Sequence, residues 1–390
     1  MKRIVVSIYI DPDFYPPTIN AVLNLAAACD ELVLVTRNNS KDDFPFPANV
    51  KLVKTGRYIP VRDSEKSSFV YKIFSFLRYT CSFWKYAASS RTGLVVLYDS
   101  FALYAYWLAK PFAGLKHKKR WYHNHDMPNK QLLRKYSIGW LAAKYEHKAM
   151  QSVHYFSLPS TDRLAFYPNW QNKPNYFFLP NYPSLKVYTT ARAVRQLPAP
   201  GAELRILFQG TIGEGHAFEA MIELLKKTVM GYPLRLILKG SVRDAYKSKL
   251  DGIAQQHGVS SQLTWVGLGP YEQLPQLTAT CHIGIAIHSG KDNVRKTLGT
   301  ASNKIYEYAA CGLPVLLYDN EQFRKYLDRY DWAFFCNGTT EGLKTSIEAI
   351  LNRYDIASAA ARRSFEQELN FEKYFYPAQH QILAGNAPAL

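Results

Sequence analysis

Short, continuously apolar runs separated by helix-length segments recur along the whole chain. In the first half they are Ile4–Ile10, Leu32–Thr36, Leu94–Tyr98, Lys119–His123, Val153–Leu158 and Tyr176–Leu179. In the second they are Leu204–Gln209, Leu234–Lys239, Leu263–Val266, Ile283–Ile287, Pro314–Tyr318 and Trp332–Phe335. Strands apolar on both faces, alternating with helices, mark a parallel sheet covered on both sides. Two such series predict two doubly wound α/β domains. Between them, Pro183-Ser184 and the stretch Thr189–Gly201 lack strand periodicity and end in Pro and Gly. The expected organisation is a first domain over 1–185, a linker over 186–203, a second domain over 204–363 and a terminal segment over 364–390. That last segment is aromatic-rich and helix-compatible until Pro377.

Composition narrows the class. The 390 residues are 47% hydrophobic and 20% charged, enough for real cores and against a disordered chain. No uncharged apolar stretch is long enough to span a bilayer as a helix. The start, Met1–Ile10, has the look of a signal peptide. Asp11-Pro12-Asp13 interrupts it without a small-residue cleavage site, so a first buried strand is expected instead. The five cysteines are odd in number, widely spaced and without a CxxC pair, which fits a reducing compartment and neither a disulfide scaffold nor a zinc site. The net charge of +17 is divided unevenly. Residues 1–200 carry 28 Lys/Arg against 12 Asp/Glu, net +16, while residues 201–390 carry 20 against 19, net +1. The halves therefore face different partners, the first of them anionic.

No GxGxxG follows the first strand, and no GxxxxGK[ST] occurs anywhere. Gly210-Thr211-Ile212-Gly213-Glu214-Gly215 has the order GxxGxG, a tight strand-to-helix turn or a ligand-facing loop. The strongest constellation runs from Gly299 to Leu317. It comprises a polar loop, an N-cap position at Ser302, a short helix, a Gly stop at Gly312, then Pro314 and a strand. A helix N-terminus presents free amides to an anion. Lys304 in the first turn opposes the macrodipole, so an anionic ligand explains it better than stability does. Lys304 and Glu307 are spaced i,i+3 and share a face, one suited to a phosphate and the other to ribose hydroxyls. A surface ion pair is the plainer alternative.

The pattern Ser302-Asn303-Lys304-x-x-Glu307-Tyr308-x-Ala310-x-Gly312-x-Pro314-Val315 resembles the nucleotide-sugar motif of GT-B glycosyltransferases, in particular the retaining glycosyltransferase family 4. Leu204–Gly210, Leu236-Ile237-Leu238-Lys239-Gly240 and Leu263-Thr264-Trp265-Val266-Gly267 are similar to successive strands of that family's second domain. Tyr15-Pro16-Pro17, His123-Asn124-His125-Asp126 and Phe178–Pro183 look like landmarks of its first. The resemblance implies two Rossmann-like domains facing a central cleft, with the last helix crossing back onto the first domain. It implies a nucleotide-diphosphate sugar as donor, with UDP- or GDP-sugars foremost, no required cofactor and no metal. The implied donor-binding residues are Gly210, Gly213, Lys239, Val266, Arg295, Ser302, Asn303, Lys304 and Glu307. The implied catalytic residues are His125, Asp126, Lys304 and Glu307. Two departures stand out: Gly299 occupies the place of a second glutamate, and residues 210–220 offer only His216 where the family has an Arg/Lys pair. Lys239, Arg295, Lys296 and Lys304 are the cations left to hold the diphosphate.

The family's reaction, transfer with retention to a hydroxyl, stabilises the leaving phosphate with amides and cations. His125, with Asp126, is the candidate in the first domain for contact with the donor sugar. An ordinary loop histidine is its alternative, and His123 is expected to face the other way. The stretch Lys66–Tyr86 combines cations with dense aromatics, and Lys116–Trp121 follows, as in helices that lie on a membrane; a core helix whose lysines reach solvent is the alternative. Glycan or polyprenyl/lipid-linked acceptors, a cytoplasmic location peripheral to the inner membrane, and a role in surface polysaccharide or glycoconjugate synthesis follow as expectations. The alternatives are another GT-B enzyme such as a nucleotide-sugar epimerase, and a basic nucleic-acid- or membrane-binding protein without catalysis. Nucleic acid is not expected as a partner, because no RRM, KH or helix-turn-helix signature is present.

Overall fold

A computed structural model describes residues 2–41, 43–60, 63, 67–127, 133–189, 195–288 and 297–385. The chain forms two compact units, one of Met1–Pro180 with Phe371–Leu390, the other of Asn181–Asn370.

The first unit is built on a seven-stranded parallel sheet of order β3-β2-β1-β4-β5-β6-β7. Its strands are β1 Arg3–Ile8, β2 Glu31–Arg37, β3 Val50–Thr55, β4 Thr92–Tyr98, β5 Lys119–His123, β6 Tyr155–Leu158 and β7 Tyr176–Phe178. Ile4 pairs with Leu32 on one side and Leu94 on the other, so the strand order reverses direction at β1 and β4. Alternate residues feed two cores, as the two-residue strand period requires. Val5, Val33, Val95 and Leu97 face helices α2 (Phe69–Ala87), α3 (Asp99–Ala109) and α4 (Ile138–Met150). Ile4, Val6, Leu32 and Val96 face α1 (Pro16–Ala26) and the C-terminal residues Phe371, Phe375, Ala378 and Ile382. Strand β3 escapes the sequence pattern because it is an edge strand, with Lys51 exposed between half-buried neighbours.

The second unit repeats the plan with the order β11-β10-β8-β12-β13-β14, and a two-residue β9 (Thr228–Val229) antiparallel to β10. The strands are β8 Leu204–Gln209, β10 Tyr232–Lys239, β11 Leu263–Gly267, β12 Ile283–Ala286, β13 Val315–Tyr318 and β14 Ala333–Cys336. The helices are α5 Phe218–Leu224, α6 Asp244–Gln256, α7 Leu274–Ala279, α8 Asn303–Ala310, α9 Glu321–Leu327, α10 Thr340–Asn352 and α11 Tyr354–Gln367. The order reverses between β8 and β12. In open parallel sheets that reversal leaves a crevice at the carboxyl ends of the strands, where ligands bind.

Two sequence expectations change here. The described residues of 186–203 are packed on the second unit rather than strung between units. The buried Tyr188 ring meets Phe365 at 6.2 Å, and the Arg195 amide donates to Ser358 Oγ at 2.9 Å. The terminal segment is not one element: Ser364–Gln367 closes α11, and a separate helix α12 spans Phe371–Ala384 straight through Pro377. Proline removes one helix hydrogen bond, but the aromatic and aliphatic residues around it are buried against the first sheet, and packing outweighs propensity.

At the end of β10, Gly240 has φ +140°, and a Cβ there would lie 1.8 Å from the Gly210 carbonyl oxygen. Gly240→Ala is therefore expected to destabilise the second unit by about 2–4 kcal/mol, combining strain and overpacking. Gly252→Ala, in the interior of α6 with open space at its Cβ, is expected to stabilise by roughly 0.5–1 kcal/mol. Urea unfolding midpoints of the two variants, moving in opposite directions, check the pair.

Candidate active site

In the second unit the site grows from the end of β8. The strand is apolar until Gln209, whose side chain is buried. Its Nε2 donates to Glu307 Oε2, its Oε1 accepts from Thr278 Oγ1 at 3.2 Å, and its backbone amide donates to Tyr308 Oη at 2.9 Å. Tyr308 can lie flat against the sheet because Gly284 has no side chain; a Cβ there would sit 2.2 Å from the ring. Helix α8 is thus tied by two consecutive residues to one strand end. Gly312, at φ +72°, closes the helix, and the Leu313 amide returns to the Tyr308 carbonyl at 3.0 Å.

At its other end, Ser302 occupies the N-cap position, but its side chain makes no capping bond. The turn before it is held instead by Asn181, whose Nδ2 donates to Ala301 O at 2.8 Å and whose amide donates to Thr300 O at 3.0 Å. Asn303 Oδ1 is buried without a hydrogen-bond partner. The Lys304 side chain folds over Gly210, where a Cβ would come within 3.3 Å of Nζ. That ammonium stands 4.5 Å from the Phe208 ring centre and donates to His288 Nε2 at 3.3 Å. Phe208 belongs to β8 and His288 follows β12, so Lys304 occupies the crevice at the strand-order reversal. His216 stacks edge-on against His288 at 4.7 Å, its Nδ1 donating to Ile287 O at 2.7 Å.

Burial pushes the Glu307 carboxyl up to about 7, although Gln209, Lys304 and the hydroxyls of Tyr188 and Tyr271 all favour its charged form. Burial likewise pulls Lys304 down to about 8, with Glu307 opposing. Lys239 ends β10, where its Nζ donates to Gly267 O at 3.2 Å and burial lowers its pKa. Val266 is exposed in β11, and Gly213 lies in an open part of the turn after β8. Gly210, Ser302, Asn303, Lys304 and Glu307 are thus brought together; Lys239 lies one strand away and Val266 two. Arg295 and Lys296 lie outside the described residues. Gln209, His288, Tyr188 and Tyr271 escaped sequence reasoning. The available signal was a polar residue ending an apolar strand, at Gln209 and again just past β12 at His288.

The first unit carries its own buried polar cluster. His125 lies beyond the end of β5, its ring stacked between Tyr15 at 5.2 Å and Tyr98 at 4.9 Å. Its Nε2 is 2.9 Å from Thr18 Oγ1, its carbonyl accepts from Arg163, and its buried Nδ1 has no hydrogen-bond partner. Burial holds this ring well below the usual histidine range, helped by His123 and Arg163, so it is neutral near pH 7. His123 does not face the other way: the strand ends at His123, the alternation stops, and the two rings meet at 4.6 Å. Burial takes His123 to about 3, with its Nδ1 2.8 Å from Ser157 Oγ. Asp126 is exposed and accepts from Tyr15 Oη at 3.0 Å. Asp99, at φ +69°, is pushed well above the usual carboxyl range by burial and by Asp126. Asp11 caps the turn Pro12–Phe14 and pairs with Lys54 at 3.1 Å, a structural role. Among the described residues no group of three or more His, Cys, Asp or Glu is placed to hold a metal ion.

Comparison with known proteins follows the same lines. Residues 190–367 match the family described as glycosyl transferases group 1. A sucrose-phosphate synthase from Thermosynechococcus elongatus superposes with a TM-score of 0.70 at 15% identity, over 98% of this chain and 100% of that one. HepE from Anabaena, in complex with UDP and glucose, superposes at 0.69 and 12%, over 99% and 100%. WaaG, a glycosyltransferase involved in lipopolysaccharide biosynthesis, gives 0.59 and 13%, over 98% and 100%. At such identities the superpositions speak for the fold. Among curated protein sequences none matches significantly. Residues 190–367 thus carry the likeness to group 1 glycosyl transferases, and both units share the GT-B fold of the superposed structures.

The Glu307 environment predicts a pH signature. With a folded pKa near 7 against an ordinary value of 4.5, the native state holds a proton that the unfolded chain has released. Stability from this group is complete below about 4.5 and is lost as pH rises through about 7. The stability of the wild type relative to Glu307→Gln is therefore expected to fall across that window and level off above it, measured by urea unfolding at stepped pH.

Proposed function

We propose that the protein transfers a hexosyl group, with retention, from a nucleotide-diphosphate sugar to a hydroxyl of a glycan or lipid-linked acceptor in surface polysaccharide or glycoconjugate synthesis. The observation that carries this reading is Lys304, folded over Gly210 at the strand-order reversal beside the N-terminus of α8. An ammonium, the first-turn amides at Asn303 and Lys304, and the unpartnered Asn303 Oδ1 suit the diphosphate and its neighbouring hydroxyls. Glu307, as a carboxylate, accepts from the ribose hydroxyls. Gly210 and Gly213 allow backbone approach, while Lys239 and Val266 lie toward the base or the second phosphate. HepE, which shares the fold and is seen in complex with UDP-glucose, supports a nucleotide-sugar donor.

In the reaction, the acceptor oxygen bonds to the anomeric carbon on the face from which the phosphate leaves. The carbon–phosphate-oxygen bond breaks, and the acceptor proton passes to the departing phosphate. Lys304 and the helix amides offset the charge that develops there. His125, held neutral between two tyrosines, is suited to hydrogen-bonding the donor sugar, with Asp126 beside it; the first unit is the acceptor domain in this reading. The second unit, which contains residues 204–363, is the nucleotide-sugar domain, and the enzyme works in the cytoplasm at the inner face of the membrane.

A thermal-shift series against UDP, GDP, ADP and CMP identifies the base, since a ligand raises stability in proportion to its occupancy. Glu307→Ala is expected to weaken the best nucleotide by about tenfold or more, roughly 1.4 kcal/mol. Unchanged affinity in that variant sinks the assignment.

The pair also sets a pH profile for binding. Nucleotide affinity is expected to rise through about 7, as Glu307 ionises to accept hydroxyl donors, and to fall above about 8, as Lys304 loses its proton. Titration calorimetry at stepped pH checks both limbs, and a flat profile would show that the two groups do not touch the ligand.

A further inference from the structure

Helix α2 has two apolar stripes. One, Phe76, Tyr79, Phe83 and Ala87, is buried on the first sheet. The other, Val70, Ile73, Phe74, Leu77, Cys81 and Trp84, recurs at three- and four-residue steps along the opposite face and is exposed throughout. Phe74 is 67% exposed, and Phe112, 61% exposed, extends the stripe by packing on Trp84 at 5.8 Å. So broad an apolar face on one helix is more than scattered surface hydrophobicity.

The segment that carries it is strongly basic. Between Lys66 and His125 the chain has ten Lys or Arg and a single acidic residue, Asp99. Arg78 and Lys85 flank the stripe directly, and Lys110 and Lys116 are exposed in the same segment as Phe112; Lys66 lies outside the described residues. A second copy docking by two-fold symmetry would set these cations against one another. No helix among the described residues is long and apolar enough to cross a membrane. An apolar face with a cationic margin fits a helix lying in the plane of an anionic bilayer, its aromatic and aliphatic side chains among the acyl chains and its lysines at the headgroups.

We infer that the outer stripe of α2, with Phe112, docks the first unit on an anionic lipid bilayer. This deepens the lipid-linked acceptor reading above and rests on it for its purpose. The binding itself needs neither donor nor catalysis, so it can fail while transfer to a water-soluble glycan stands.

The test is cosedimentation of the full chain, without nucleotide, with vesicles of phosphatidylcholine alone and of equimolar phosphatidylcholine and phosphatidylglycerol. The wild type is expected to partition about tenfold or more in favour of the anionic vesicles, and to lose that preference at high salt. Phe74→Ser with Leu77→Ser, both at exposed positions, is expected to cut binding by about tenfold at an unchanged melting temperature. Arg78→Glu with Lys85→Glu is expected to abolish the preference for anionic lipid. Undiminished binding by the serine variant overturns the inference. So does a wild type that ignores vesicles but self-associates through the stripe, losing that association in the serine variant.

Discussion

A carboxylate and an ammonium drawn out of water at the end of a parallel sheet are the interaction on which the second unit depends. Burial opposes both charges, so they persist only because the surroundings supply hydrogen bonds and each other's field. Gln209 is the means. It ends β8, bridges Thr278 to Glu307, and through its own amide holds Tyr308. An eight-residue helix has little stability of its own, and α8 is a helix because its partners hold it. The glycines follow from this: Gly284 makes room for Tyr308, Gly240 lets the chain after β10 close on Gly210, and Gly210 leaves the surface over which Lys304 folds.

The two units answer the same architectural problem with opposite chemistry. Each has a reversal of strand order and a polar cluster near the carboxyl ends around it. In the second, two groups of opposite charge titrate near neutrality. In the first, His123 and His125 are stripped of charge by burial, and Asp99 is pushed toward its neutral form. A neutral imidazole between two tyrosine faces has a fixed plane and both donor and acceptor capacity, which suits orientation of hydroxyls rather than neutralisation of phosphate. In the proposed function, charge and hydroxyl recognition are thus divided between the sheets.

What could be read from the sequence was what is local. Continuous apolar strands in alternation gave away both sheets, and the run from Ser302 to Val315 carried cap position, helix, stop and strand within one segment. The residues that give this run its chemistry come from far off in the chain: Gln209 and Tyr188 precede Glu307 by about a hundred residues, and only the fold joins them. Local patterns also failed where tertiary packing overrode them. The helix α12 passes through Pro377 because the sheet beneath it holds both sides. Edge strand β3 was hidden because it is only half buried. The alternation that would have separated His123 from His125 stopped one residue too soon.

The hydrophobic pattern of α2 shows a different limit. Periodicity counts apolar residues on a face but does not say whether that face looks in or out. In α2 two faces qualify, and only the packing on β2, β3 and β4 decides which of them is core. Exposing six large or medium apolar side chains in a row carries a steady cost in solubility, which a monomer adrift in water would have no reason to keep. In the inferred docking, the net charge of the first two hundred residues and the stripe are two aspects of one surface, the charge acting at long range and the apolar side chains on contact.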